Sequence, residues 1–292
     1  MIEEFRVADP GAGPYGIAAG VDGALWFTMV HAGRIGRLVP GGEVQSFALE
    51  SAQNGPSVIT PGPDGALWFT QLRGNRVGRI TTVGDVREYE LPSAETGPYG
   101  IAAGADGALW FTEINVDRIG RITQDNSIDE YPLPIEKAFP SMITAGPDDG
   151  LWFTLNQANA IGRIDLGGDV TTFPLPTPNA GPVGITTGAD GALWFVEILA
   201  GQVGRIAVDG TIDEFPLPDR AARPHAIVGD ESGDLWFTEW GANRVGRITP
   251  AGKIDEFDLP SPESEPHGLT VGPDGAIWTA LETGFLARIP LS

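Results

Sequence analysis

The sequence predicts an all-β chain, a seven-bladed β-propeller of four-stranded blades closed by its own N-terminal strand. Three observations predict it. Trp26, Trp68, Trp110, Trp152, Trp194, Trp236 and Trp278 recur at a constant interval of 42 residues, the period of a propeller blade. Each repeat carries four short segments of strand character separated by turn residues. The last repeat lacks its fourth segment, and the N-terminus supplies a copy of it.

Each repeat reads approximately Gly-Pro-x-Gly-Ile-x-x-Gly-x-Asp-Gly-Ala-Leu-Trp-Phe-Thr-Glu, a variable stretch, Ile-Gly-Arg-Ile, a Gly turn, and Ile-x-Glu-Phe-x-Leu-Pro. The first strand is the Gly-Ile-Ala-Ala type of segment, whose small residues suit a crowded axis. An Asp-Gly turn such as Asp22-Gly23 or Asp274-Gly275 leads to the second, Ala-Leu-Trp-Phe-Thr, rich in β formers. Arg-Ile-Gly-Arg-Ile makes the third and Ile-Asp-Glu-Phe the fourth. Alternation with period two and the absence of a helical stretch exclude a mixed fold. Seven repeats of 42 need 294 residues and the chain has 292, so residues 1–292 are expected to form one propeller domain.

Closure is legible at the two ends. Ile2-Glu3-Glu4-Phe5 copies Ile254-Asp255-Glu256-Phe257, and Phe5 precedes Pro14 by the same nine residues that separate Phe257 from Pro266. Residues 2–5 are therefore expected to pair with the last blade as its outer strand. The Asp-Glu pairs of the fourth strands, such as Asp129-Glu130 and Asp213-Glu214, are expected on exposed edges, where charge discourages edge-to-edge association. The arginines of the Ile-Gly-Arg-Ile segments, Arg37 through Arg288, recur in every repeat and read as scaffold.

The formal net charge of −21 sets up a field that repels phosphate backbones and anionic lipid, so neither nucleic acid nor membrane is expected as a partner. Residues 1–20 hold no basic segment followed by an apolar run, and no stretch reaches the roughly 18 apolar residues of a spanning helix. A cytoplasmic monomer is the expectation. With no cysteine, disulfides, thiolate metal sites and a Cys nucleophile are excluded.

In a ring of near-identical blades, a residue present in every copy serves the frame, so chemistry is sought where single copies deviate. The position after the Gly-Pro proline reads Tyr15, Ser57, Tyr99, Ser141, Val183, His225 and His267. Two of the three histidines thus occupy one position in neighbouring blades, at the mouth of the central channel. The residue before that proline is a carboxylate only at Glu265. Three residues after the tryptophan stand Met29, Gln71, Glu113, Leu155, Glu197, Glu239 and Leu281; blade seven displaces its acid by one, to Glu282, which turns it to the other side of the strand. Blade six carries Trp240 there. Glu113, Glu197 and Glu239 are further candidates for the channel mouth, while His31 has no partner in the pattern and is expected to be solvated.

Two imidazoles, two carboxylates and an aromatic wall are thereby predicted at one opening. A neutral imidazole accepts a proton near neutral pH, and glutamate oxygens suit a hard cation such as Mg²⁺. A polarised carbonyl beside a His base is the equipment for removing a proton from the adjacent carbon.

These residues resemble the virginiamycin B (streptogramin B) lyase family from end to end. The resemblance rests on the Trp-Phe-Thr-Glu and Ile-Gly-Arg-Ile repeats, on Arg223-Pro224-His225-Ala226-Ile227, on Trp236-Phe237-Thr238-Glu239-Trp240-Gly241, and on Glu265-Pro266-His267-Gly268. It implies that the substrate is a cyclic depsipeptide antibiotic, opened at its ester by elimination rather than hydrolysis, with resistance as the result. It further implies that His267 takes the Cα proton, that Mg²⁺ held through Glu265 and Glu282 steadies the enolate-like charge, and that His225 positions the ester or supplies a proton. Tyr15, His225 and Trp240 would contact substrate. Two departures stand out: Thr279 replaces the usual Phe, and Thr283-Gly284-Phe285-Leu286-Ala287-Arg288 breaks the Ile-Gly-Arg-Ile pattern, which puts the tilt of Glu282 in question. A metal-dependent lactonase and a non-catalytic binding propeller are the alternatives that the residues themselves leave open.

Overall fold

The computed structural model describes residues 1–291, and all regular structure in them is β. Twenty-eight strands form seven four-stranded antiparallel sheets. Six sheets are sequential meanders, beginning with Pro14–Ala19, Leu25–Met29, Arg34–Leu38 and Val44–Ala48. The seventh combines Pro266–Val271, Ile277–Leu281 and Phe285–Ile289 with the N-terminal strand Glu3–Arg6. That strand pairs Glu3 with Arg288 and Phe5 with Leu286, so the expected closure is observed. No helix among the described residues is long and apolar enough to cross a membrane.

Each second strand is buried along its whole length and packs between sheets, which is where the core sits. The recurrent tryptophan joins two clamps. Its indole stacks on the aromatic residue of the fourth strand, as Trp26 does on Phe47 at 5.7 Å, and Phe5 takes this role on Trp278 at 5.2 Å. Its Nε1 donates to the turn aspartate, whose other oxygen accepts from the Ile-Gly-Arg-Ile arginine: Trp26 and Arg37 share Asp22 at 3.2 and 2.9 Å. The repeated arginines are therefore scaffold, held by ionic hydrogen bonds and a face-on indole. Blade six lacks the turn aspartate, Ser232 standing there, and divides the work: Asp230 accepts from Trp236 while Asp234 lies 3.4 Å from Arg247.

Two sequence expectations about acids are corrected. In the Asp129-Glu130 and Asp213-Glu214 pairs only the aspartate is exposed, because strand alternation puts its neighbour on the opposite face. Glu130 accepts from the backbone and hydroxyl of Ser93 in the preceding blade, Glu214 does so from Thr177, and Glu4 does so from Ser261 across the closure. These glutamates pin blade to blade. Glu113, Glu197 and Glu239 do not line the channel mouth. They are the last residues of their second strands and are fully buried. Burial and the facing Glu130, Glu214 and Glu256 push each of them up to about 8, so they are neutral at physiological pH.

Candidate active site

The variable position is aimed by a β-bulge. In every blade the pairing of the first two strands shifts between the proline and the residue three further on, as between Pro224 and Ile227 or Pro266 and Leu269. The Trp-Phe-Thr threonine fills this irregularity in most blades. Thr238 accepts from the amide of Ala226 at 3.0 Å and donates to the carbonyl of His267 in the next blade at 2.9 Å. The residue after the variable position alternates small and large around the ring as Gly16, Val58, Gly100, Met142, Gly184, Ala226 and Gly268. Ala226 breaks the alternation in blade six and the odd blade number breaks it at the seam, so the small residues of blades five, six, seven and one run consecutively. His225, His267 and Tyr15 project from that side.

The rings meet as predicted. His225 and His267 are edge-to-face at 5.1 Å between centroids, and Tyr15 lies over His267 at 4.3 Å. The Tyr15 hydroxyl is 2.6 Å from that of Tyr99 and 3.5 Å from His225 Nε2. Tyr99 belongs to the same repeat position, and its partnership across the channel was not foreseen. Together with Ile17, Ile59 and Ile185, Tyr15, Tyr99 and His225 line a channel cavity of about 150 Å³. Burial, with the facing His267 as the lesser cause, lowers His225 to about 3 and keeps it neutral. Burial raises both tyrosines, Tyr15 further than Tyr99, so both hydroxyls keep their protons.

The carboxylates are brought together by one repeated contact. In blade seven the amide of Glu282 faces the carbonyl of Glu265 at 3.4 Å, the counterpart of Val30 with Gly13 and of Trp240 with Arg223. The same pair of positions therefore holds two acids in blade seven and a stacked cation and indole in blade six, where the Arg223 guanidinium sits 5.5 Å from the Trp240 ring centre. Glu265 is not part of an extended segment running into His267. It adopts a left-handed backbone, φ 52°, at a position where Gly13, Gly55, Gly97 and Gly181 stand in other blades. A side chain there costs about 1–2 kcal/mol of strain, tolerated in blades six and seven by Arg223 and Glu265 and in blade four by Phe139.

Glu265, His267 and Glu282 each offer one ligand atom within 4.8 Å of the others, and theirs is the one grouping of metal-ligand type among the described residues. His267 Nε2 lies 2.8 Å from Glu282 Oε2, while its Nδ1 is buried and unpartnered. The hydrogen bond from His267, then that from His31, holds Glu282 down at about 2 against the opposing effect of burial. Burial and the nearby Glu282 raise Glu265. Two crowded carboxylate oxygens with an imidazole fit a hard divalent cation, which would relieve their repulsion.

Three sequence expectations are modified by this geometry. His31 is not simply solvated, because its Nε2 is 2.7 Å from Glu282 Oε1. Trp240 stands apart from the ring cluster, beside Arg223, Asn243 and Glu265 in a cavity of about 420 Å³ on the rim. The departures in blade seven compensate one another: Thr279 faces Ala287 where other blades face Phe with Gly, and the strand pairing is unbroken from Ile277 to Leu281. Glu282 follows immediately on that regular strand.

A model of the virginiamycin B lyase family matches residues 1–289. A solved streptogramin B lyase has a TM-score of 0.97 to this chain at 44% identity, covering 100% of this chain and 98% of that one. A catalytically inactive histidine-to-alanine variant of the Staphylococcus aureus virginiamycin B lyase, solved with quinupristin, gives 0.97 at 45% identity over 100% and 99% of the two chains. The virginiamycin B lyase of Saccharopolyspora erythraea is 61% identical over 50 residues, a stretch spanning 17% of this chain and 17% of that relative. With residues 1–289 covered by the family and its fold shared with the solved lyases, the chain belongs to the virginiamycin B lyase family.

Proposed function

We propose that this protein linearises cyclic streptogramin B depsipeptides by β-elimination at the ester bond, assisted by Mg²⁺, and so confers resistance. The observation that carries the reading is the Glu265–His267–Glu282 cluster at the mouth of the ring. Family membership and the quinupristin found with a relative support the substrate class. A cytoplasmic monomer is part of the same reading.

His267 is the base, and Nε2 is its working nitrogen because Nδ1 is buried. In the free site Nε2–H donates to Glu282; with Glu282 turned to the ion it would hold and the ring proton on Nδ1, the same nitrogen presents its lone pair to the Cα–H of the esterified threonine. Proton transfer to Nε2 leaves the electron pair to form the Cα–Cβ double bond as the Cβ–O bond breaks, and the ester carboxylate departs. Glu282, one hydrogen bond away, stabilises the imidazolium so formed. Glu265 and Glu282 would hold Mg²⁺, which supplies positive charge to steady the enolate-like oxygen. Neutral His225 and the protonated Tyr15 offer uncharged hydrogen-bonding groups to the ester, and Trp240 with Arg223 forms an outer wall. A carboxylate leaves without strong acid assistance, which accords with the lack of a strong acid in this set.

Mass spectrometry of virginiamycin B after incubation tests the proposal. Elimination gives a linear product of unchanged mass carrying a new double bond; a gain of one water would identify a hydrolase, and no turnover a binding propeller. His267→Ala is expected to lower the rate by about 10²–10⁴-fold.

A further inference from the structure

His31 is the feature the proposed chemistry leaves unused. It stands five residues after Trp26, where the other blades carry Arg73, Asn115, Gln157, Leu199, Gly241 and Thr283, so the imidazole is unique to blade one. Its backbone N–H donates a hydrogen bond to the Ala12 carbonyl at 3.1 Å. Its ring lies against Gly13, where an added Cβ would come within 2.6 Å of Cδ2. The side chain is 45% exposed and fills no core, yet its Nε2 is placed 2.7 Å from one oxygen of Glu282 while His267 takes the other at 2.8 Å. Glu282 follows the last residue of its strand and begins a turn, so its carboxylate depends on side-chain partners for its orientation.

We propose that His31 is a positioning residue for the divalent-ion site: across the ring closure it fixes the Glu282 carboxylate, so that one oxygen is committed to blade one and the other faces His267 and Glu265. This rests on the proposed ion-assisted lyase and deepens it. His31 acts through Glu282, to which its Nε2 is hydrogen-bonded, and is not one of the three residues whose ligand atoms converge. A partner that orients a ligand typically changes metal affinity by about 10–100-fold when removed. The loss should therefore appear in ion binding and not in the proton transfer itself.

The test is calorimetric titration of the full chain with Mg²⁺ and with Mn²⁺, without substrate, on the wild type, His31→Ala and His31→Gln, with melting curves to confirm folding. His31→Ala should weaken binding by about tenfold or more, and His31→Gln, whose amide can still donate to Glu282, should recover most of it. Turnover of virginiamycin B at saturating Mg²⁺ should be unchanged in both, with only the half-saturating Mg²⁺ concentration raised in His31→Ala. Equal affinity in the wild type and His31→Ala overturns the assignment, as does a glutamine variant as weak as the alanine one, or a rate loss that saturating Mg²⁺ does not restore. A wild type that binds the ion but leaves the antibiotic intact overturns the lyase reading alone, and one that binds no ion overturns both.

Discussion

Blade seven tests how tightly the repeat is packed. In six blades the phenylalanine after the tryptophan lies over the glycine of Ile-Gly-Arg-Ile; a Cβ on Gly36 would fall 2.1 Å from Phe27 Cζ, and one on Gly162 2.2 Å from Phe153. In blade seven Thr279 faces Ala287. Thr279→Phe therefore drives a ring onto an existing methyl group, an overpacking worth about 1–3 kcal/mol. A chain of this length gains about 0.6 kcal/mol/K of unfolding entropy at its midpoint, so the single variant should melt roughly 2–5 °C lower. Ala287→Gly alone should cost about 1 kcal/mol from backbone entropy. The double variant restores the pair found in the other blades, and the two changes should couple by about 2 kcal/mol. Thr279 also donates to the Gly268 carbonyl at 2.9 Å, but that loss is common to the single and double variants and cancels in the cycle. Thermal unfolding of all four proteins supplies the cycle. A coupling within about 0.5 kcal/mol of zero, the scatter expected of independent sites, would refute the idea that the two departures are one substitution.

Two further outcomes follow from the packing of the blades. Removing residues 1–6 strips the outer strand from blade seven, breaks the Glu4 contacts to Ser261 and uncovers Trp278, so the midpoint should drop by roughly 10 °C on the entropy scale for this length; differential scanning calorimetry reads it. Glu113 is raised from 4.5 to about 8 in the folded chain. The folded state therefore holds its proton more tightly than the unfolded one, and its contribution is complete below about pH 4.5 and is lost as pH rises toward 8. Glu113→Gln should flatten the fall in stability between pH 5 and 8 by up to about 1.4 kcal/mol per pH unit, measured by urea unfolding across that range; an unaltered slope would show the carboxyl to be ionised in the fold.

The frame was legible because it is repetitive: one tryptophan spacing, one turn and one missing strand define the ring. Most of the site was legible for the opposite reason, since His225, His267, Glu265 and Glu282 break the repeat in adjacent blades. What escaped was contact between positions that the repeat does not relate. His31 and Glu282 are 251 residues apart and meet only across the seam. Tyr99 reaches Tyr15 from two blades away. Glu113, Glu197 and Glu239 were misplaced because alternation assigns a side of a strand but not whether that side faces the channel or the neighbouring sheet. The left-handed turn at Glu265 was hidden for a similar reason: glycine in four other blades was the only clue.

The proposed catalytic cluster sits on the join of the circle. Its residues come from blades six, seven and one, and blade seven is whole only when the first few amino acids of the chain have come round to meet the last. A polypeptide released early from the ribosome, or clipped near either end, could retain most of its blades and still be chemically silent. Fraying of a single peripheral strand would disarm the machinery before the body of the wheel lost its shape.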